Sequence, residues 1–239
     1  MIAYVELSLQ GNNTDLTDEI AREFCENLTA VVLDIGLKTE REEILFGHIY
    51  EKYVECEVER VFLDSLTSHI LSGQLKGSLN ASVGNAYIEQ QVKAGRFELV
   101  EQIITNLDPM TLDLNTVIKV CLANRLFSAI IYLYNQAFKD YVTPATELLK
   151  VVRKFIEIRA AHPEWPADNI PDKEAKSLRD NCYQLLVYLA YTWTGKEYPA
   201  GLIAEAEQLK AKSSLYERIF AEVFSKGDSK WSLSFYFYW

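Results

Sequence analysis

Residues 95–138 read GRFELVEQIITNLDPMTLDLNTVIKVCLANRLFSAIIYLYNQAF and contain three short apolar segments with helical spacing. Apolar residues recur in them every three to four positions, which is the period of a helix with one buried face. Gly95 favours the left-handed conformation that commonly ends a helix, and proline in Asp108-Pro109 cannot continue one. The stretch therefore predicts short helices joined into hairpins.

Two of these hairpins resemble each other. Placing Arg96 on Arg125, an offset of 29 positions, brings Phe97 onto Leu126. A hairpin of this size cannot bury both of its apolar stripes alone, so neighbouring hairpins must stack. We therefore predict an all-α fold, an α-solenoid of stacked helical hairpins like those of the clathrin heavy chain.

The same period extends toward the N-terminus. A helix is expected from about residue 16, with Ile20, Phe24 and Leu28 on its buried face. Thr39 and Glu42 have the spacing of a capping box, in which the two side chains satisfy the free amides of a first helical turn. They predict the start of the next helix.

The C-terminal half shows a similar succession of helix starts. Thr143 and Pro144 predict an N-cap followed by proline at the first helical position. Residues 161–177 hold three of the six prolines and form the longest break in the pattern, either a surface loop or a hinge. Ser177 with Asp180 is expected to begin the next helix.

These breaks suggest a domain organisation. We expect a first helical-hairpin stack over residues 1–160, the Pro-rich loop or hinge at 161–177, and a second stack over 178–239 with an aromatic C-terminal tail. Two final helices are expected at about 200–212 and 214–226.

The two ends of the chain show strand-like alternation instead. Val5, Leu7 and Leu9 alternate with polar or small residues, and apolar residues alternate again over 231–235. The ends are therefore expected to pair as a small edge ribbon. The aromatic run SKWSLSFYFYW at 229–239 suggests a fragment of a longer chain, with its packing partner further downstream.

Composition argues against several classes of partner. The net charge is −10 and the pI about 4.9, so phosphate backbones and anionic lipid headgroups are repelled. No apolar run approaches the roughly 20 residues that cross a bilayer, and the N-terminus lacks the pattern of a signal peptide. The four cysteines are widely spaced, as expected for reduced core residues of a cytoplasmic protein: Cys25, Cys56, Cys121 and Cys182.

No catalytic, cofactor-binding or metal-binding residue is predicted. The three histidines, His48, His69 and His162, are too scattered for a metal site, and neither a phosphate-binding loop nor a nucleophile elbow occurs. The many aromatic residues at helical spacing are first expected in the core. Some of them, among them Tyr132, Tyr134 and Tyr141, are candidates for an exposed, partner-binding face.

Three stretches resemble the vacuolar protein sorting-associated protein 8 family. They are VERVFLDSLTSHILSGQLKG at 58–77, residues 94–149, and LLVYLAYTWTGKEYPAG at 185–201, which contains the family's Tyr-Thr-x-Thr-Gly and Tyr-Pro-x-Gly boxes. In this family a β-propeller precedes the long α-solenoid and a RING-type zinc domain follows it. The resemblance implies the centre of the solenoid, in the Rab-binding subunit of the CORVET endosomal tethering complex.

The resemblance further implies a non-enzymatic scaffold in endosomal membrane tethering and vesicle-mediated protein transport. Its partners would be the other CORVET core subunits and, through regions outside this stretch, an early-endosomal Rab GTPase. The chain would be cytoplasmic and would reach the endosomal membrane through its partners only.

Two alternatives stay open. One is a solenoid segment of a related tether or coat, such as HOPS or a clathrin-like protein. The other is an all-α enzyme or GTPase-activating domain, with Arg96 or Arg125 supplying the catalytic arginine.

Overall fold

The computed structural model describes residues 2–11, 19–166 and 169–224. Their packing forms two units, Met1–Asn124 and Arg125–Trp239. Within the described ranges the regular structure is helical, apart from one isolated antiparallel bridge between Lys196 and Leu202.

Apart from the 20-residue helix Glu19–Lys38, the described helices of the first unit have 13 residues or fewer, and two of them are joined through a π-helical segment at Leu45–Ile49. The helices are α1 Ile2–Gly11, α2 Glu19–Lys38, α3 Glu42–Ile44, α4 Tyr50–Glu55, α5 Glu59–Ser65, α6 Thr67–Leu71, α7 Ala81–Lys93, α8 Phe97–Asn106 and α9 Leu114–Asn124.

The core of the first unit is centred on aromatic residues of α4 and α5. The rings of Tyr53 and Phe62 lie 5.1 Å apart, and both side chains are fully buried. The Tyr53 hydroxyl lies 3.0 Å from Thr29 Oγ1 on α2. Burial raises the pKa of Tyr53 to about 12, because the ionised phenolate would lose its hydration.

Several helices of this unit end in a left-handed residue. After α7, Gly95 has φ +70°, and the Arg96 N–H donates to Gln91 O over 3.0 Å. This arrangement satisfies carbonyl groups that the helix leaves unpaired. Glu40 and Glu57 take the same conformation after α2 and α4, although neither is glycine.

The second unit has four described helices, and all but the first have 20 or 21 residues. They are α10 Phe127–Leu133, followed by a π-helical segment at Tyr134–Phe138, α11 Val142–Ala161, α12 Lys173–Trp193 and α13 Glu205–Phe224. α11 packs along α12, and α13 contacts both. The prediction of two final helices is wrong, because α13 continues without a break through Ser213 and Ser214.

The repeat offset differs by one residue from the prediction. Gly95 and Arg125 are the left-handed residues, with φ +70° and +57°, and α8 and α10 begin at the second residue after them. The matching offset is therefore 30, and Arg96 aligns with Leu126. The prediction that Arg96 and Arg125 occupy one repeat position is wrong.

The helix α11 begins two residues earlier than predicted, at Val142 instead of Pro144. Asp140, not Thr143, caps it: its Oδ1 atom accepts from the N–H groups of Val142 and Thr143 over 2.8 and 3.0 Å. Pro144 consequently lies inside the first turn rather than at its first position.

The start of α12 also differs from the prediction. Asp172 caps the helix by accepting from the Ala175 N–H over 2.7 Å, so Ser177 and Asp180 are already helical. α11 and α12 flank the Pro-rich loop and pack against each other. The hinge at 161–177 stays a prediction, as does the division into two stacks around it.

The prediction of a strand at the N-terminus is wrong, because residues 2–11 form α1. Val5 and Leu9 are buried while Leu7 is exposed, so the buried pair has the i, i+4 spacing of a helix. The expected pairing partner at 231–235 lies outside the described residues.

On α2 the buried face is displaced from the predicted one. Ile20 is exposed and the buried positions run through Ala21 and Cys25, although Leu28 is buried as predicted. The predicted capping box is also wrong: the Thr39 hydroxyl donates backward to Ile35 O over 2.8 Å. The left-handed turn leaves Arg41 at the N-cap position of α3, without a side-chain cap.

Candidate interaction surface

The two candidate arginines lie in different units, and each has partners within its own unit. Arg96 donates to Gln91 Oε1 over 3.2 Å and lies 3.9 Å from Asp64 Oδ1. Arg125 donates to Glu174 Oε1 over 3.1 Å. These contacts link neighbouring elements, and nothing in them favours a catalytic arginine.

The three tyrosines singled out for an exposed face do not form one. Tyr132 and Tyr141 are buried, and Tyr134 is half-buried against Phe138, with ring centres 5.5 Å apart. Tyr141 instead takes part in a polar cluster beneath the loop that follows α12.

The centre of that cluster is Glu197, a carboxylate with only 7% of its surface exposed. Tyr141 donates to its Oε1 atom over 3.0 Å and Gln136 donates to its Oε2 atom over 2.6 Å. Lys139 Nζ lies 3.5 Å from Oε1 and supplies a positive charge. A buried carboxylate needs such partners, because desolvation would otherwise outweigh its other interactions. Burial, followed by the hydrogen bond to Glu197, raises the pKa of Tyr141 well above its usual value.

The loop that carries Glu197 is closed on itself. Gly195 ends α12 with φ +79°, and its carbonyl accepts from the Ile203 N–H over 2.9 Å. Glu197 N–H donates to Gly201 O over 3.2 Å. Gly201 has φ +127°, a conformation that strains other residues, and lies against the Glu197 side chain. The Tyr-Thr-x-Thr-Gly and Tyr-Pro-x-Gly boxes thus build a clamp between α12 and the start of α11.

A second buried contact fixes the C-terminal third of α12. The Tyr188 hydroxyl donates to Tyr141 O over 2.8 Å and lies 3.1 Å from Asn135 Oδ1. Tyr188 is fully buried, and burial raises its pKa well above the usual value. Both partners belong to the segment between α10 and α11, so these hydrogen bonds hold α12 against that segment.

The outward face of α12 is apolar as well. Its inner face buries Leu185, Tyr188 and Leu189, as expected for a packed helix. The opposite face exposes large side chains along one stripe: Tyr183 54%, Leu186 39%, Val187 43% and Trp193 45%. We call these four residues the α12 stripe. Their spacing of three, four and ten positions from Tyr183 is that of one helix face, and contiguous exposed apolar surface is typical of interaction sites.

The described residues also line several concave regions. A groove of about 470 Å³ lies between α5 and α7, and charges of both signs line it, among them Arg60, Asp64 and Lys93. A pocket of about 270 Å³ lies beside Lys139 and Lys210 in the second unit. In the described ranges, no group of three or more His, Cys, Asp or Glu side chains is arranged to hold a metal ion. No described helix is both long and apolar enough to span a bilayer.

Sequence reasoning missed both the clamp and the stripe. The run LLVYLAY at 185–191 contains no charged residue, which is a signal that both faces of the helix are apolar. Glu197 gave no signal, since a glutamate in a loop is ordinarily solvated. Its burial depends on residues more than fifty positions earlier in the chain.

Helices that follow one another through left-handed turns and pack as hairpins define a helical-repeat protein. The model of the Vps8 central TPR family matches residues 61–233, which is well over half of the chain. The chain belongs to this family. The predicted all-α fold of the α-solenoid class is thereby confirmed.

Curated relatives agree with the family. The mouse vacuolar protein sorting-associated protein 8 homolog is 29% identical over 83% of this chain and 13% of its own length. The Drosophila melanogaster homolog is 34% identical over 67% of the chain and 11% of its own length. The Saccharomyces cerevisiae protein is 24% identical over 75% of the chain and 13% of its own length. The chain thus spans about an eighth of these relatives. No solved structure matches it.

Proposed function

We propose that the chain is a scaffold segment of a CORVET-type endosomal tethering subunit. It would act through protein–protein contacts in early-endosome fusion and in transport from the endosome to the vacuole or lysosome. The observation that carries the proposal is the match of the Vps8 central TPR family over residues 61–233. The names of the mouse and yeast relatives, which refer to vacuolar protein sorting, support it.

The geometry of the second unit fits such a role. A scaffold needs a rigid support and an exposed surface that a partner can bind. The clamp at Glu197 and the buried Tyr188 hydroxyl supply the support. The α12 stripe supplies the surface.

The partners in this proposal are the other CORVET core subunits. An early-endosomal Rab GTPase would bind through regions of the full-length protein outside this chain. The protein would be cytoplasmic and would lie at the endosomal membrane through these partners. The proposal contains no catalytic step, so Arg96→Ala should leave GTP hydrolysis by the Rab protein unchanged.

The test is reconstitution with the full-length protein that contains this segment. Tagged protein is mixed with purified core subunits shared between CORVET and HOPS, and with early- and late-endosomal Rab GTPases in the GTP state. We expect co-purification with the core subunits and with the early Rab. Retention of the late Rab alone would assign the protein to the related tether, and no retention of the core subunits would overturn the proposal.

A further inference from the structure

We propose that the α12 stripe is the docking site for a partner helix that has an apolar face and carboxylates at one end. This inference deepens the proposed function and depends on it only in taking the chain as a protein-binding scaffold. The stripe and the charges at its two ends support this assignment.

The N-terminal end of α12 carries lysines that lack a carboxylate partner in the described part of the chain. Lys173 and Lys176 are both exposed and form no ion pair there. Lys176 precedes Tyr183 by seven positions and so lies on the same helix face as the stripe.

The acidic residues around these lysines are already engaged. Asp172 caps α12 through the Ala175 N–H. Glu174 accepts from both Arg125 and Lys154, over 3.1 and 2.7 Å. Asp180 pairs with Arg179 over 3.2 Å. In a chain with a net charge of −10, this end of α12 is therefore a local positive site that a partner's carboxylates would complement.

The charges disfavour a second copy of the chain as the occupant. The exposed residue Lys196 follows the other end of the stripe, just after Trp193. Antiparallel pairing of two stripes would bring Lys176 of one copy toward Lys196 of the other, and parallel pairing would bring the two Lys176 side chains together. Like charges at close range oppose both arrangements.

The dimensions fit a helix. From Lys176 to Trp193 the face is about 26 Å long at 1.5 Å per residue. Its exposed side chains form one row, which is the shape that receives apolar residues at positions i, i+3, i+4 and i+7 of a second helix.

The experiment uses the 239-residue chain and two fluorescently labelled synthetic helices of 18 residues. Both have leucines along one face, and one has three glutamates at its N-terminal end where the other has three lysines. Fluorescence anisotropy measures binding of each peptide. We expect the glutamate peptide to bind, and the lysine peptide to bind at least about tenfold more weakly.

Three variants sharpen the test. Val187→Asp places a charge in the stripe and should weaken binding of the glutamate peptide at least about tenfold. Leu209→Asp, at an exposed position of α13 outside the stripe, should not change it. The double variant Lys173→Glu, Lys176→Glu should exchange the preference, binding the lysine peptide better than the glutamate peptide. Circular dichroism must show the same helicity for all variants.

Equal binding of the two peptides would overturn the inference, and so would binding of the glutamate peptide that Val187→Asp leaves unaffected. It would also be overturned if the double variant kept the wild-type preference for the glutamate peptide, or if the wild-type chain formed a dimer that Val187→Asp dissociates. Val187-dependent binding to phosphatidylserine vesicles without peptide binding would also overturn it, in favour of a lipid surface. The proposed function fails separately, if the full-length protein retains no tether subunits.

Discussion

At the scale of residues, Glu197 shows how a few buried polar groups hold the second unit together. Its carboxylate lies almost entirely out of water, and its partners Gln136, Lys139 and Tyr141 all come from the segment between α10 and α11. Because a buried hydroxyl without an acceptor is unfavourable, the Tyr141 hydroxyl depends on Glu197 as much as Glu197 depends on it.

Replacing Glu197 with alanine should therefore destabilise the protein. The change leaves the Tyr141 hydroxyl and the Gln136 amide without their acceptor, and we expect a loss of about 2–3 kcal/mol in the free energy of unfolding. Urea denaturation followed by circular dichroism measures it. The matched control is Glu157→Ala on the exposed side of α11, where a change within about 0.5 kcal/mol is expected. Equal effects of the two variants would show that the clamp does not stabilise the fold.

The buried phenol of Tyr53 predicts a pH dependence. Its pKa is raised to about 12 in the folded state, against an ordinary value near 10. The contribution of the protonated Tyr53 phenol to the free energy of unfolding is therefore fully present below pH 10. It is lost as the pH rises through 12, since Tyr53 ionises at a lower pH in the unfolded chain than in the folded one. Two pKa units correspond to about 3 kcal/mol.

Tyr53→Phe should reduce the fall in unfolding free energy between pH 10 and 12, because phenylalanine cannot ionise. Urea titrations at a series of pH values measure this slope, with Tyr216→Phe at an exposed position as the control. Identical slopes for wild type and Tyr53→Phe would contradict the assignment.

At the scale of elements, the left-handed helix ends determine where each hairpin turns. Glycine occupies this conformation at Gly95 and Gly195, but Glu57 adopts it after α4 with φ +59°. A side chain with a β-carbon is strained there by roughly 1–2 kcal/mol per residue.

Glu57→Gly should consequently stabilise the first unit. The relief of strain exceeds the entropy that glycine adds to the unfolded chain, and we expect a gain of about 0.5–1 kcal/mol. Thermal unfolding measures it. Glu51→Gly, in the first turn of α4, should lower the melting temperature instead. A lower melting temperature for Glu57→Gly would show that its left-handed conformation carries no strain.

The sequence was informative about helices and less so about their ends. Periodicity and glycine predicted the helical class and the helix end at Gly95, because both signals are local. The caps at Asp140 and Asp172 were missed, since neighbouring threonine, proline and serine offered equally plausible starts. The α1 helix was mistaken for a strand because Val5 and Leu9 satisfy both periods over so short a segment.

At the scale of the whole molecule, the chain spans about an eighth of the length of its curated relatives. It belongs to the Vps8 central TPR family. In the proposed scaffold role this segment binds other proteins, and the α12 stripe is one place where it does so. The stripe lies in the second unit, in which α12 is fixed by the clamp and by Tyr188.

Hydrogen–deuterium exchange tests this claim most directly, on the full-length protein alone and after assembly with purified tether core subunits. We expect slower exchange on assembly in peptides covering residues 183–193. Peptides from α11 that contain the buried residues Leu148 and Val152 serve as the reference, and their exchange rate should not change on assembly. Assembly that leaves exchange over 183–193 unaltered would contradict the account.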